Sequence, residues 1–339
     1  MAKSLGANAY EVGIIGSVYG GLQLIGSPIV GRLSDLAGRR AILIVSMFMT
    51  ALSYCLMGLA GSLSMLVLSR IPVGLFKQSM SVGQALITDL TTPEERLSAL
   101  ARNNAALNAG FIIGPMTGGM LSSFGYSVPA FVGAAVFVLN GVLVLVCFPA
   151  PKPSSPRPNA KDKEKPKESA QETKPKLSPE LMVLLCVRLL TSSSNQIFRG
   201  SFSLITAEMF AYTAKQTGFA LSFLGCLGFM VQQWAVPAAG RRYDGVTLAT
   251  FGSVCLAATQ LALVQSPGEW VFLALLAPHA LAAGVVRTST LSVISKASAE
   301  DAIGLALGVS GSMDSVARML SPAVGGYLLA TYGVAGVGM

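Results

Sequence analysis

Between Asn103 and Pro151 the chain runs 49 residues without an aspartate, glutamate, lysine or arginine. About 20 consecutive apolar residues suffice to cross a bilayer, so this stretch holds two crossings, divided at Ser122–Tyr126. The rest of the chain agrees: 52% of its 339 residues are hydrophobic and 12% are charged, about half the roughly 25% charge of an average soluble domain. Too little charge is left to cover the surface of a soluble protein this size. Water-soluble enzymes, nucleic-acid binders and disordered scaffolds are excluded together, and an integral membrane protein whose first partner is the lipid bilayer remains.

The same test along the chain gives ten segments, at roughly 12–30, 41–61, 64–88, 101–123, 128–149, 181–207, 217–239, 246–265, 270–293 and 303–330. Their near-continuous apolar character lacks the alternation of barrel strands and predicts an all-α, polytopic membrane fold. If the loop after the first segment is cytoplasmic, sixteen lysines and arginines fall on that side against two, Lys3 and Lys215, on the other. That bias predicts the orientation. Between Ala150 and Glu180 the composition turns to Pro, Lys, Glu and Ser with no aromatic residue, which cannot bury enough surface to fold. The expected organisation is therefore a bundle at 1–149, a cytoplasmic linker at 150–180 and a bundle at 181–339. Cys55, Cys147, Cys186, Cys226 and Cys255 lie in apolar runs without metal-ligand spacing and read as small buried hydrophobes. Met1–Tyr10 does not resemble a cleavable signal, so the first segment is expected to direct its own insertion. No phosphate-binding loop occurs, and no catalytic residue, metal or cofactor is expected.

The halves repeat. Gly31-Arg32-Leu33-Ser34-Asp35 recurs as Gly240-Arg241-Arg242-Tyr243-Asp244, shifted by 209, and Gly114-Pro115-Met116-Thr117-Gly118-Gly119 recurs as Ser321-Pro322-Ala323-Val324-Gly325-Gly326, shifted by 207. Two matches at nearly one shift argue for a duplicated bundle. Projected by that shift, the segment at 181–207 falls before Met1 and the one at 128–149 falls beyond Met339. Each half is thus expected to lack one helix of a six-helix unit, trimmed at both ends.

A charge well inside a spanning segment is costly and marks a candidate site. Arg70 and Lys77 are seven apart, so they share a helix face and can share a polar cavity; snorkelling to an interface is the alternative. Arg287 takes nearly the place of Lys77 in the second half. Asp314 and Arg318, four apart with the acid first, suit an ion pair on one helix face, and Asp314 is the one carboxylate well inside a segment. It reads either as a proton carrier or as half of a permanent pair. Arg188, Arg199 and Glu208 lie nearer segment ends and read as anchors. His279, the sole histidine, reads as a buried neutral imidazole rather than a relay. Gly31 and Gly38 permit tight turns beside Asp35, Arg39 and Arg40. Gly110, Gly114, Pro115, Gly118 and Gly119 are expected to form one bent, tightly packed seam.

Four stretches together carry a resemblance. Gly31–Arg40 resembles the signature loop between the second and third helices of the major facilitator superfamily, Arg70-Ile71-Pro72-Val73-Gly74 its fourth-helix arginine motif, and Asp89–Arg96 its following loop. Gly110–Gly119 is similar to the fifth-helix motif of the proton-coupled drug antiporters of that superfamily. The resemblance implies two six-helix bundles in the parent, a loop cluster that holds the outward-open state, proton coupling through Arg70, and a glycine seam that blocks leak. It implies a monomeric secondary transporter exchanging protons for small organic solutes. A facilitator without proton coupling and a membrane scaffold or receptor stay open as alternatives.

Overall fold

The computed structural model describes residues 2–148, 179–298 and 303–338, and no strand occurs among them. Most of the expected linker therefore lies outside the described residues. The helices are α1 (Ala9–Ala37), α2 (Arg39–Gly58), α3 (Leu63–Leu68), α4 (Arg70–Phe76), α5 (Ser79–Leu90), α6 (Pro93–Leu121) and α7 (Ser127–Cys147) in the first half. The second half has α8 (Pro179–Phe210), α9 (Ala214–Met230), α10 (Val236–Gly240), α11 (Gly245–Val264), α12 (Glu269–Ala297) and α13 (Ile303–Gly338). Since α3–α5 form one broken rod, and a π-turn at Val231–Ala235 joins α9 to α10, these make about ten rods. Six of them are both long and apolar enough to cross a membrane unaided: α1, α2, α7, α9–α10, α11 and α12. Charges inside α6, α8 and α13 and the breaks in α3–α5 dilute the remaining four.

The two halves start alike. Asn8 accepts from the Glu11 amide while the Glu11 carboxylate accepts from the Asn8 amide, each at 2.8 Å, a capping box opening α1. Thr213 and Gln216 repeat that box at the start of α9. Burial is unequal. Phe198, Phe202, Ile205, Phe272 and Leu276 make one aromatic-rich core in the second half, whereas the first half has two small clusters around Ile15 and Val30.

Three sequence expectations need correction here. Helix α1 runs on to Ala37, so Gly31 sits inside it and only Gly38, at φ 92°, makes the turn. The segment at 64–88 is not one helix, because α3, α4 and α5 break at Ser69 and again at Lys77–Gln78. None of the five cysteines is buried: Cys147, Cys186 and Cys226 are exposed and Cys55 and Cys255 half-buried. In a bilayer the outer face of a helix is as apolar as its inner face, so an apolar neighbourhood in sequence does not report burial.

The halves meet through two strips that are copies of each other. On one, a Cβ added to Gly13 of α1 would lie 2.2 Å from the Pro322 carbonyl oxygen of α13; on the other, a Cβ added to Gly218 of α9 would lie 2.4 Å from the Pro115 carbonyl oxygen of α6. The likeness continues along both strips. An added Cβ would lie 2.5 Å from the Ala9 carbonyl oxygen at Gly326 and 2.8 Å from that of Ala214 at Gly119, and 3.0 Å from the Arg318 carbonyl oxygen at Gly20 and from that of Phe111 at Gly225. Arg318 and Phe111 each stand four residues before a proline, which leaves their carbonyls without the usual helical partner and free to face the neighbouring backbone. Both strips lie at the helix ends remote from Arg39, Arg96 and Arg241, which we call the far end as opposed to the basic end. Ser17 accepts from the Ala323 amide at 3.0 Å, and Tyr10 meets Tyr327 edge-on at 6.5 Å, adding to the first strip.

Candidate functional site

At the basic end, the turn at Gly38 brings Arg39 against Asp35 at 3.2 Å, and the same guanidinium donates to Asp89 at the end of α5 at 2.5 Å. Arg39 thereby ties the loop after α1 to the end of the broken rod. Arg40 donates to the Leu145 carbonyl at 2.6 Å, placing a cation at the C-terminal end of α7. Asp244, the repeat of Asp35, does something else: its carboxylate accepts from Thr247 and caps α11. Those hydrogen bonds, from the Thr247 side chain and then its amide, hold the Asp244 carboxyl below the ordinary 3.8.

The broken rod organises the interior of the first half. A break frees backbone carbonyls, and in a membrane they must find partners within the protein. Ser53 of α2 donates to the Ser69 carbonyl at the first break. Ser46 of α2 donates to the Phe76 carbonyl at 2.6 Å, and Gln23 of α1 to that of Lys77 at 3.5 Å, at the second. Arg70 and Lys77 stand beside these breaks and line one cavity of about 180 Å³ together with Tyr19, Ser53, Tyr54, Met57 and Val73. The Lys77 ammonium lies 5.8 Å over the Phe137 ring, which stacks on Tyr54 at 5.6 Å. Among the described residues neither Arg70 nor Lys77 forms an ion pair, and the buried Arg70 Nε has no hydrogen-bond partner.

In the second half the structure replaces one expected pair with another. Asp314 turns toward α8, where it accepts from Arg188 at 2.7 Å and from the Ser192 hydroxyl at 2.7 Å. Arg188 also donates to Thr290 and to the Arg287 carbonyl, both at 3.2 Å. Arg318 instead is exposed and, among the described residues, donates to the Ser315 hydroxyl at 3.4 Å. The reason is the cost of burial: the Arg188 side chain is 7% exposed and needs a counter-charge, whereas Arg318 is exposed. Arg188 is thus no end anchor. The side chain of Arg287 is exposed, and α12 is unbroken at this counterpart of Lys77. His279 is 1% exposed and packs on Phe198 at 4.5 Å.

The five seam residues part company. Pro115 and Gly119 stand in the strip against α9, while a Cβ added at Gly110, Gly114 or Gly118 would meet nothing within 4 Å. They split because positions three or four apart share a helix face and Gly119 is one residue, about a quarter turn, beyond Gly118. Tyr19, Tyr54, Ser46 and Gln23 are participants that sequence reading passed over, and Arg188, read there as an end anchor, is a fifth participant given the wrong role. Only Arg188 had a signal there, a charge as deep in its segment as Arg70 is in its own. Among the described residues no histidine, cysteine and carboxylate cluster could hold a metal ion.

Comparison with known proteins sets this geometry in context. Residues 1–268 match the family model described as Major Facilitator Superfamily. The chain is 29% identical over 343 residues to solute carrier family 22 member 18 of Mus musculus, covering 98% of this chain and 84% of that one. It is also 29% identical over 269 residues to the class D tetracycline resistance protein of Salmonella ordonez, covering 78% and 66% respectively. Among solved structures, the human organic anion transporter MFSD10 (TETRAN) superposes with a TM-score of 0.63 at 23% identity, covering 96% of this chain and 80% of that one.

Proposed function

The chain belongs to the major facilitator superfamily, a multi-pass membrane transporter and not an enzyme, and on that premise we propose that it exchanges protons for small organic solutes by alternating access. The observation that carries this reading is the pair of equivalent strips: two copies of one glycine–proline contact join the halves at the far end. An interface built twice from backbone against glycine is a natural pivot, because it can slide or part without leaving a bulky side chain stranded. With the basic end cytoplasmic, as the lysine and arginine bias predicts, the conformation described here is inward-facing. The Asp35–Arg39–Asp89 cluster then belongs to the cytoplasmic gate and exchanges partners when that side closes. The linker at 150–180 is cytoplasmic in this reading, the protein works as a monomer, and Lys3–Gly119 resembles major facilitator superfamily domain-containing protein 9.

Asp314 is the proton carrier in this scheme. A proton on Asp314 Oδ2 neutralises the carboxylate and releases Arg188, and its departure restores the pair, so one protonation event toggles the contact between α8 and α13. The resemblance of Gly110–Gly119 to the fifth-helix motif of proton-coupled drug antiporters supports exchange against protons. The test is solute-driven proton movement in proteoliposomes loaded with the pH dye pyranine. Adding tetracycline outside is expected to move protons in wild type and not in D314N. Tetracycline flux that ignores the pH gradient would replace this reading with a facilitator, and no flux of any solute would leave a scaffold.

A further inference from the structure

We propose that the cavity between α1, α2 and α4 takes the acidic group of a small aromatic anion, with Arg70 and Lys77 as its counter-charges; this rests on the transport reading and names its substrate class. Two cations line a cavity of about 180 Å³, and among the described residues neither has a carboxylate partner. A cation inside a membrane protein ordinarily pairs with another protein group, as Arg188 does with Asp314. In the first half the described residues supply no such partner, which leaves both charges open to an anion that enters the cavity. The Arg70 guanidinium supplies donors, and Tyr19 and Tyr54, which also line the cavity, carry hydroxyls that can donate as well.

The walls say what the anion is attached to. Tyr54, Met57 and Val73 line the same cavity, and Phe137 lies behind Tyr54 and Lys77. Offset aromatic faces and a thioether favour a planar ring over a sugar or a fully hydrated ion. The volume falls below the roughly 300–1,000 Å³ of drug-sized sites. One ring with its acid group, or the acidic end of a larger solute, fills it.

The probes are benzenesulfonate, which stays anionic at every working pH, and phenyltrimethylammonium, its cationic counterpart of similar size. Purified full chain in phosphatidylcholine vesicles is expected to show a saturable rise in unfolding temperature with benzenesulfonate and none with phenyltrimethylammonium. R70Q and K77Q should each weaken the benzenesulfonate response about tenfold or more, while R70K keeps part of it, as loss of a charged partner at a buried site requires. Protection by the cationic probe alone, or undiminished protection by benzenesulfonate in R70Q/K77Q, overturns the proposal. Loss of protection on adding phosphatidylglycerol to the vesicles would assign the cavity to a lipid headgroup and overturn it as well. Counterflow of benzenesulfonate separates the two claims: protection without counterflow upholds the anion site and sinks transport, and counterflow of phenyltrimethylammonium alone upholds transport and sinks the anion site.

Discussion

Asp314 and Arg188 divide their roles in a way that a double-mutant cycle resolves. Removing one partner strands the other, so D314N is expected to lower stability by about 3–5 kcal/mol, the usual cost of breaking a buried pair. The apolar double variant R188L/D314L should recover most of that loss by thermal unfolding, yet stay unable to couple solute flux to a pH gradient. Recovery of both would reduce the pair to a structural brace. Asp244 gives a pH prediction outside the membrane. Its carboxyl is held below the ordinary 3.8 by the hydrogen bonds to Thr247, so its capping contribution is present above that value and lost as pH falls through the lower folded one. D244A should therefore melt below wild type at neutral pH, with the gap closing as pH drops below about 4. A gap that persists in strong acid would assign the effect to something other than the cap. The Arg188–Asp314 contact was not legible in the sequence, because Arg318 offers a local partner four residues away and nothing in one chain of letters reveals that α8 passes on the other side of Asp314.

The elements that sequence reading located best are those whose length is set by the bilayer. The runs at 41–61 and 128–149 correspond to α2 and α7 within a few residues, since about 20 apolar residues are what a crossing requires. The broken rod shows where that logic stops. An apolar run at 64–88 predicts a helix by composition, but the breaks at Ser69 and Lys77 depend on Ser46, Ser53 and Gln23 from two other helices. Hydropathy does not see a carbonyl partner that arrives from elsewhere. S46A removes one of two donors to the Phe76 carbonyl, which keeps the Gln78 amide at 2.7 Å, and is expected to cost about 0.5–1.5 kcal/mol, the net worth of one hydrogen bond. Chemical denaturation in detergent checks the magnitude. An unchanged midpoint would mean that the second break carries its own solvation. The glycine motif was half legible for a related reason. The repeat of Gly114–Gly119 in Ser321–Gly326 marked the right stretch, but the face that meets α9 belongs to Pro115 and Gly119 and not to Gly110, Gly114 and Gly118.

For the whole molecule, the account depends on the two strips acting as one pivot. Gly218 has no room for a methyl group beside the Pro115 carbonyl, so G218A must part the far-end contact, at a cost of about 1–3 kcal/mol, typical of overpacking. The conformational balance should then shift toward closure of the basic end. The direct measurement places spin labels in pairs on a chain whose five native cysteines are replaced by alanine. One pair sits at Leu36 and Tyr243 on the basic end, the other at Phe124 and Trp270 on the far end, all four being exposed. Pulsed electron–electron distance measurements in vesicles, with and without G218A, should show the Leu36–Tyr243 distance shortening as the Phe124–Trp270 distance lengthens. Distances that stay fixed at both ends, or that change together in the same sense, would contradict alternating access.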